Sequence, residues 1–207
     1  RRTRHSHYAP AEPTVAAPQD LPWEGVYHPD APAGEDAEAW LVARHRAGTP
    51  TVGVLFYRAQ WISGDLAFVD ALIHAIEERG CNVMPVFSFT LRDDVTAADG
   101  LPPVFRRYLL DADGRLRIDV LITTLSFSGA RVRLNEGPTQ SAGLMLDALA
   151  RLDMPVLQAI LAAVSRRQWA GSNLGLAPQD AAMKVMLPEF DGRIISVPIA
   201  FKEEASR

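Results

Sequence analysis

The sequence predicts an α/β fold: an open, mostly parallel sheet with flanking helices, built from βαβ units and preceded by an irregular, proline-rich N-terminal segment. Three observations carry this. Apolar stretches with strand character begin near Thr51, Val83, Ile118 and Pro155, so they recur at roughly three dozen residues, the length of one βαβ unit. Several are almost continuously apolar rather than alternating, as expected of strands covered on both faces. Segments with helical spacing lie between them, and that alternation defines a layered α/β domain with right-handed crossovers.

The elements follow in order. Seven of the fifteen prolines fall before Thr51, six of them in residues 1–48, a stretch with few aliphatic side chains. Such a stretch cannot bury enough apolar surface to offset the entropy of ordering it. It reads as a linker or strap, with Trp23, Val26 and Tyr27 available to tack it down and a short helix from Glu35 to Arg46 stopped at Gly48. Residues 49–207 form the α/β domain. Thr51 to Tyr57 is the first strand. Leu66, Val69, Leu72, Ile73 and Ile76 follow at helical spacing, with Ser63 or Asp65 as cap and Gly80 as stop. Strands are expected at Val83–Phe87, Ile118–Thr124 and Pro155–Ile160. Pro102-Pro103 marks a helix start, and a further helix is expected from about Ser141 to Leu152. Ser165 to Trp169 looks like a capped turn, Pro178 starts a helix to about Met186, and Arg193 to Phe201 is a strand that Pro198 places at an edge.

Composition narrows the function. With 21 basic and 25 acidic residues, net charge -4, the chain lacks the concentrated basic face of a nucleic-acid binder. Arg1, Arg2 and Arg4 form the one tight basic cluster, at the N-terminal end. One cysteine, Cys81, excludes an intramolecular disulfide and fits a reducing compartment. No apolar run approaches the ~20 residues of a membrane-spanning helix, and the first residues lack signal-peptide order. A cytoplasmic protein, or an internal piece of one, is expected.

The common phosphate-binding signatures are missing. There is no Gly-x-Gly-x-x-Gly and no Gly-x-x-x-x-Gly-Lys-Ser/Thr, and Ser126 to Arg131 is at most a weak phosphate loop. There is no Gly-x-Ser-x-Gly elbow. The five histidines show no His-Glu-x-x-His spacing. His5 and His7 could chelate weakly, and His74 reads as a surface or packing residue within the first helix of the domain.

Ligands of open α/β sheets sit beyond the carboxyl ends of the strands, so the loops there supply the candidates. In the first, Arg58 could clamp a carboxylate, Trp61 could stack on a flat ring, and Asp65 could cap a helix or bind a polar group. The alternative is a capped turn with a surface tryptophan. In the second, Leu187 to Arg193, Glu189 and Asp191 could accept protons or hold a cation if the segment turns, or could form an acidic turn at Asp191-Gly192. In the third, Gln158 is a polar amide late in the Pro155–Ile160 strand, where a ligand group would be met, followed by Arg166, Arg167 and Trp169. The two arginines could serve anionic carboxylates or be solvated.

In this order, the segments resemble the CobN-type large subunit of aerobic cobaltochelatase, related to the large subunit of magnesium chelatase. The resemblance rests on Gly53-Val-Leu-Phe-Tyr-Arg58 with Ser63-Gly-Asp65, Asp70-Ala-Leu-Ile73 with Gly80, Pro155-Val-Leu-Gln158, Ser165 with Trp169, Gly175-Leu-Ala-Pro178, Leu187-Pro-Glu189 with Asp191-Gly-Arg193, and Phe201-Lys-Glu203. It runs from about Thr51 to Glu203. Order and spacing carry it rather than any single motif. Many relatives place a histidine where this chain has Gln60 or Trp61, so no histidine role carries over.

The resemblance implies a piece of a larger tetrapyrrole-binding subunit that hosts metal insertion, in the cobalt branch into hydrogenobyrinic acid a,c-diamide. ATP would be hydrolysed by separate AAA+ and integrin-like partner subunits rather than bound here, which accommodates the missing phosphate loop. Insertion requires removal of ring N–H protons and of water from the metal, and a carboxylate suits both tasks. Glu189 is the first candidate for that role, as proton acceptor and metal ligand, with Asp191 second. Arg58 would meet a peripheral carboxylate or amide of the macrocycle, and Trp61 or Trp169 would pack on its face. Asp65, Gln158 and Arg193 complete the substrate-binding set. Cobalt is favoured over magnesium because Phe190 to Arg193 and Phe201-Lys202 look more CobN-like. Other readings are a non-catalytic metabolite- or partner-binding module and a structural inter-domain piece.

Overall fold

The computed structural model describes residues 20–89, 101–126, 150 and 152–203. Among these, six strands form one sheet: β1 (Glu24–Val26), β2 (Thr51–Tyr57), β3 (Asn82–Ser88), β4 (Val120–Thr123), β5 (Val156–Ala162) and β6 (Ile194–Phe201). Their spatial order is β1-β3-β2-β4-β5-β6. All neighbours are parallel except β1, which runs antiparallel to β3. The α/β class and mostly parallel sheet expected from the sequence are those observed.

The central strands show why. Six successive residues of β2, Thr51 to Phe56, are buried, as are all seven of β3, so both faces of this part of the sheet are covered. Helix α1 (Ala37–Arg44) is capped by the Asp36 carboxylate, which accepts the Glu38 N–H at 2.9 Å. Helices α2 (Arg58–Ser63) and α3 (Ala67–Glu78) then lead from β2 to β3. Val69, Ile73 and Ile76 form the buried stripe of α3, each worth about 1.5–3 kcal/mol when withdrawn from water. A π-helical turn, Phe105–Leu109, adds Phe105, Tyr108 and Leu109 to the same core.

Several elements differ from expectation for identifiable reasons. Neither Ser63 nor Asp65 caps α3; its N-cap is Leu66, with no side-chain bond. The stretch expected to be a loop is α2, begun by the Gln60 side chain, whose Oε1 accepts the Tyr57 N–H at 3.1 Å, and closed by Gly64 at φ 72°. β1 joins the sheet from within the proline-rich segment. Pro85 lies inside β3, where its missing N–H is tolerated because β1 pairs only with Val86 to Ser88. Pro198 does fall in an outer strand, β6, beside a register irregularity opposite Ile160.

After β5, helix α4 (Arg166–Ala170) carries the expected cap, a reciprocal Ser165–Gln168 box. A longer helical segment, α5, follows through Pro178–Ala181, a π-helical stretch Ala182–Met186, and Leu187–Phe190. It continues past the expected end at Met186 and contains Pro188. Proline cannot donate to the carbonyl four residues back; the π stretch, with the Leu187 N–H bonded to the Ala182 carbonyl, changes the register before it is reached. Most of the helix expected near Ser141–Leu152, the loop at 127–131, and Arg1, Arg2, Arg4, His5 and His7 lie outside the described residues. No helix among the described residues is long and apolar enough to cross a membrane.

Candidate functional site

The chain leaves β2 to form β3 on one side and β4 on the other. A crevice is expected at the carboxyl ends of strands that diverge in this way. A cavity of about 280 Å³ lies there, lined by Tyr57 at the end of β2, Ser126 beyond β4, Ala163 beyond β5, and Gln179, Asp180, Met183 and Lys184 of α5. The Tyr57 hydroxyl oxygen accepts the Ser126 N–H at 2.9 Å, which leaves its own proton to be donated. Asp180 is 2% exposed and accepts the Ala163 N–H at 2.8 Å, fixing α5 to the end of β5. Lys184, one helical turn on, donates to Asp180 Oδ1 at 2.6 Å and to the Leu161 carbonyl. The crevice thus presents a phenolic donor beside a partly buried, neutralised ion pair.

Beside it is a buried polar network. Arg193 Nη1 donates to the Leu125 carbonyl at 2.7 Å and to Gln158 Oε1 at 2.8 Å, and Nη2 donates to Asp191 Oδ2 at 2.7 Å. Both charged side chains are 1% exposed, and Gln158 is fully buried. Burial pushes the guanidinium of Arg193 below its ordinary range, and the charge and hydrogen bond of Asp191 oppose that shift. The network locks together the loop after β4, the interior of β5 and the turn into β6.

The structure therefore brings together Gln158, Asp191 and Arg193. It does not make Glu189 and Asp191 converge. Asp191 is committed to Arg193, whereas Glu189 is exposed on the last turn of α5. Exposed Met186, Phe190 and Ile194 lie close to Glu189 in the chain.

The first candidate cluster is engaged elsewhere. Arg58 Nε and Nη2 donate to the carbonyls of Pro22 (2.6 Å) and Leu21 (3.0 Å), and its guanidinium lies 4.9 Å from the Trp23 ring centroid. Arg58 thus holds the segment before β1. Trp61 stacks on Phe87 at 4.4 Å and 9°, Asp65 is exposed, and Trp169 packs against Phe201 at 5.3 Å. Arg166 and Arg167 are exposed.

Sequence reading missed Tyr57, Asp180 and Lys184. Tyr57 read as the last residue of an apolar strand. The Asp180–Lys184 spacing was visible as an i, i+4 pair, but such pairs are common on solvated helix faces, and only the fold turns this one toward β5.

An α/β domain with its crevice at the switch point of a parallel sheet is, as a class, a ligand-binding architecture. The chain belongs to the CobN/Magnesium Chelatase family, whose model matches residues 2–207. It is 36% identical over 162 residues to the aerobic cobaltochelatase subunit CobN of Sinorhizobium sp, covering 78% of this chain and 11% of that protein. With a magnesium-chelatase subunit of Cereibacter sphaeroides it shares 33% over 178 residues, 85% of this chain and 14% of that one. The catalytic subunit of cobaltochelatase from Mycobacterium tuberculosis superposes with a TM-score of 0.62 at 30% identity, over 93% of this chain and 14% of that chain. The chain thus spans about a seventh or less of the length of these relatives.

Proposed function

We propose that this chain forms part of the tetrapyrrole-binding large subunit of an ATP-dependent, multisubunit metal chelatase in the cytoplasm. In this reading the complex inserts cobalt into hydrogenobyrinic acid a,c-diamide during cobalamin biosynthesis. ATP is hydrolysed by AAA+ and integrin-like partner subunits, and cobalt is substrate rather than resident cofactor. The observation that carries the proposal is the family match along residues 2–207. The cobalt branch rests on the sequence at Phe190 to Arg193 and at Phe201-Lys202.

The geometry suggests a division of labour. At about 280 Å³ the switch-point crevice is below the roughly 300–1,000 Å³ that encloses a drug-sized ligand, so it suits a peripheral substituent rather than the macrocycle. Tyr57 can donate to a carboxylate or amide there, beside Lys184. Of the two carboxylates, Glu189 is the one whose position leaves it open to accept a ring proton or displace a metal-bound water. Asp191, with Arg193 and Gln158, holds the turn that follows Glu189. Arg58 and Trp61 secure neighbouring structure, so they would shape the substrate side indirectly.

The test is cobalt insertion by the full-length subunit carrying Glu189→Gln, reconstituted with its ATPase partners and the corrinoid. Lost insertion with corrinoid binding retained is expected. Normal insertion would remove Glu189 from the chemistry and leave this segment as scaffold.

A further inference from the structure

Far from the crevice, where α3 ends beside the amino-terminal ends of the strands, three potential metal ligands face one another. His74 and Glu77 lie one turn apart on α3, and Asp30 approaches them from the segment between β1 and α1. One ligating atom from each lies within 4.8 Å of the others. His74 Nε2 and Asp30 Oδ2 are 3.5 Å apart, close to the roughly 3.4 Å separating two ligands held about 2.1 Å from a tetrahedral zinc-class ion. An i, i+3 His/Glu pair places both donors on one helix face without backbone adjustment.

A second observation concerns the support behind these ligands. His28 is 4% exposed and uses both ring nitrogens. Its Nδ1 accepts the Asp30 N–H at 3.2 Å, so the ring proton sits on Nε2, which donates to Glu77 Oε1 at 3.2 Å. One buried imidazole thereby orients the backbone of one ligand and the carboxylate of another, and only one of the two Glu77 oxygens is used. Trp40 packs against this imidazole at 4.7 Å. Outer hydrogen bonds that fix ligand orientation in this way are the usual companions of a metal centre.

We infer that Asp30, His74 and Glu77 form a binding site for a single divalent first-row cation of the zinc, cobalt or nickel type, with water completing the coordination. One imidazole and two carboxylates suit this borderline class. The exposure of Asp30 and His74, 60% and 45% for their side chains, gives the ion an entry path and room for water. Bound there, the ion joins the N-terminal segment to α3, alongside the 2.8 Å hydrogen bond from the Tyr27 hydroxyl to Asp70. The site lies at the opposite end of the sheet from Tyr57 and Lys184, and the inference does not depend on the chelatase reading.

The test uses the metal-free 207-residue chain titrated with Zn²⁺ and, for its visible spectrum, Co²⁺. One equivalent should bind saturably, and Zn²⁺ should raise Tm because it binds only the folded arrangement. His74→Ala and Glu77→Gln, both on a helix surface, should each weaken binding by about tenfold or more and abolish the Tm rise, with circular dichroism unchanged. His5→Ala/His7→Ala should leave binding and the Tm rise intact. Absence of saturable binding, or binding that survives His74→Ala but is lost with His5 and His7, would overturn the inference.

Discussion

Replacing Arg193 with methionine keeps much of the aliphatic stem and removes the guanidinium from a network closed to solvent. Asp191, 1% exposed, is left as a buried carboxylate without its cation, and Gln158 Oε1 and the Leu125 carbonyl lose donors held at 2.8 and 2.7 Å. The carboxylate decides the magnitude: breaking a buried ion pair from one side costs about 3–5 kcal/mol, whereas replacing both partners with apolar groups of similar size is often neutral. The depressed affinity of Arg193 for its proton reflects its burial, which disfavours the cation and which the charge and hydrogen bond of Asp191 oppose only in part. With a urea m-value of about 2 kcal/mol/M, the unfolding midpoint of Arg193→Met should fall by about 1.5–2.5 M. Asp191→Leu/Arg193→Met should be at least ~2 kcal/mol more stable than Arg193→Met alone. Tryptophan fluorescence during urea unfolding of the 207-residue chain measures both. A single-variant loss below about 1 kcal/mol, or a double variant as unstable as the sum of the singles, would refute the claim that this pair locks the turn into β6.

Two further outcomes follow from the same structure. Burial raises the Glu24 carboxyl above its ordinary 4.5, against the opposing charge of Arg107, so the folded chain holds that proton more tightly than the unfolded one. Stability from this group is present below 4.5 and is lost as pH rises through the folded value; Glu24→Gln should flatten that decline and stabilise the chain at pH 7, as read by urea unfolding at several pH values. Asp180→Ala removes the acceptor of the Ala163 N–H and the partner of Lys184, and should cost about 1–3 kcal/mol by the same assay.

The sheet was largely legible because its strands are covered on both faces, so each announces itself as an apolar run between helices. β2, β3, β4 and β5 were located from this alone, and Pro198 correctly placed β6 at an edge. β1 was not legible. Glu24-Gly-Val26 has neither length nor alternation, and becomes a strand because β3 offers an open edge beside Val86 to Ser88. Helix α2 was hidden for a related reason: its start depends on one glutamine folding back onto the Tyr57 N–H. The site was less legible than the fold. A sequence shows which residues can ionise but not which already have partners. Thus Arg58, attractive as a clamp, is spent on two backbone carbonyls, and Asp191 on Arg193. His74 showed no ligand spacing along the chain, since Asp30 meets it only through the path of the N-terminal segment.

The distribution of exposed apolar side chains bears on how such a piece could serve a macrocycle. Val197 is 69% exposed, Phe190 61%, Met186 57% and Ile194 55%, and they fall on β6 and on the end of α5. A paired edge strand with this composition invites cover. The same stretch carries Glu189, and the Asp191–Arg193 pair holds the turn between that residue and β6. Rigid backbone behind an apolar surface with one open carboxylate is the arrangement that could meet a flat, largely apolar ring and take its protons, because the surrounding surface would exclude water once covered and so strengthen the carboxylate's interactions. The switch-point crevice, too small for the ring, would then act on a substituent at its edge. On this reasoning β6 and the end of α5, rather than the tryptophans near β2, are the surface through which the proposed chemistry passes. Cover by the rest of a subunit or by the macrocycle would protect the same backbone amides, from Glu189 to Val197, against hydrogen exchange.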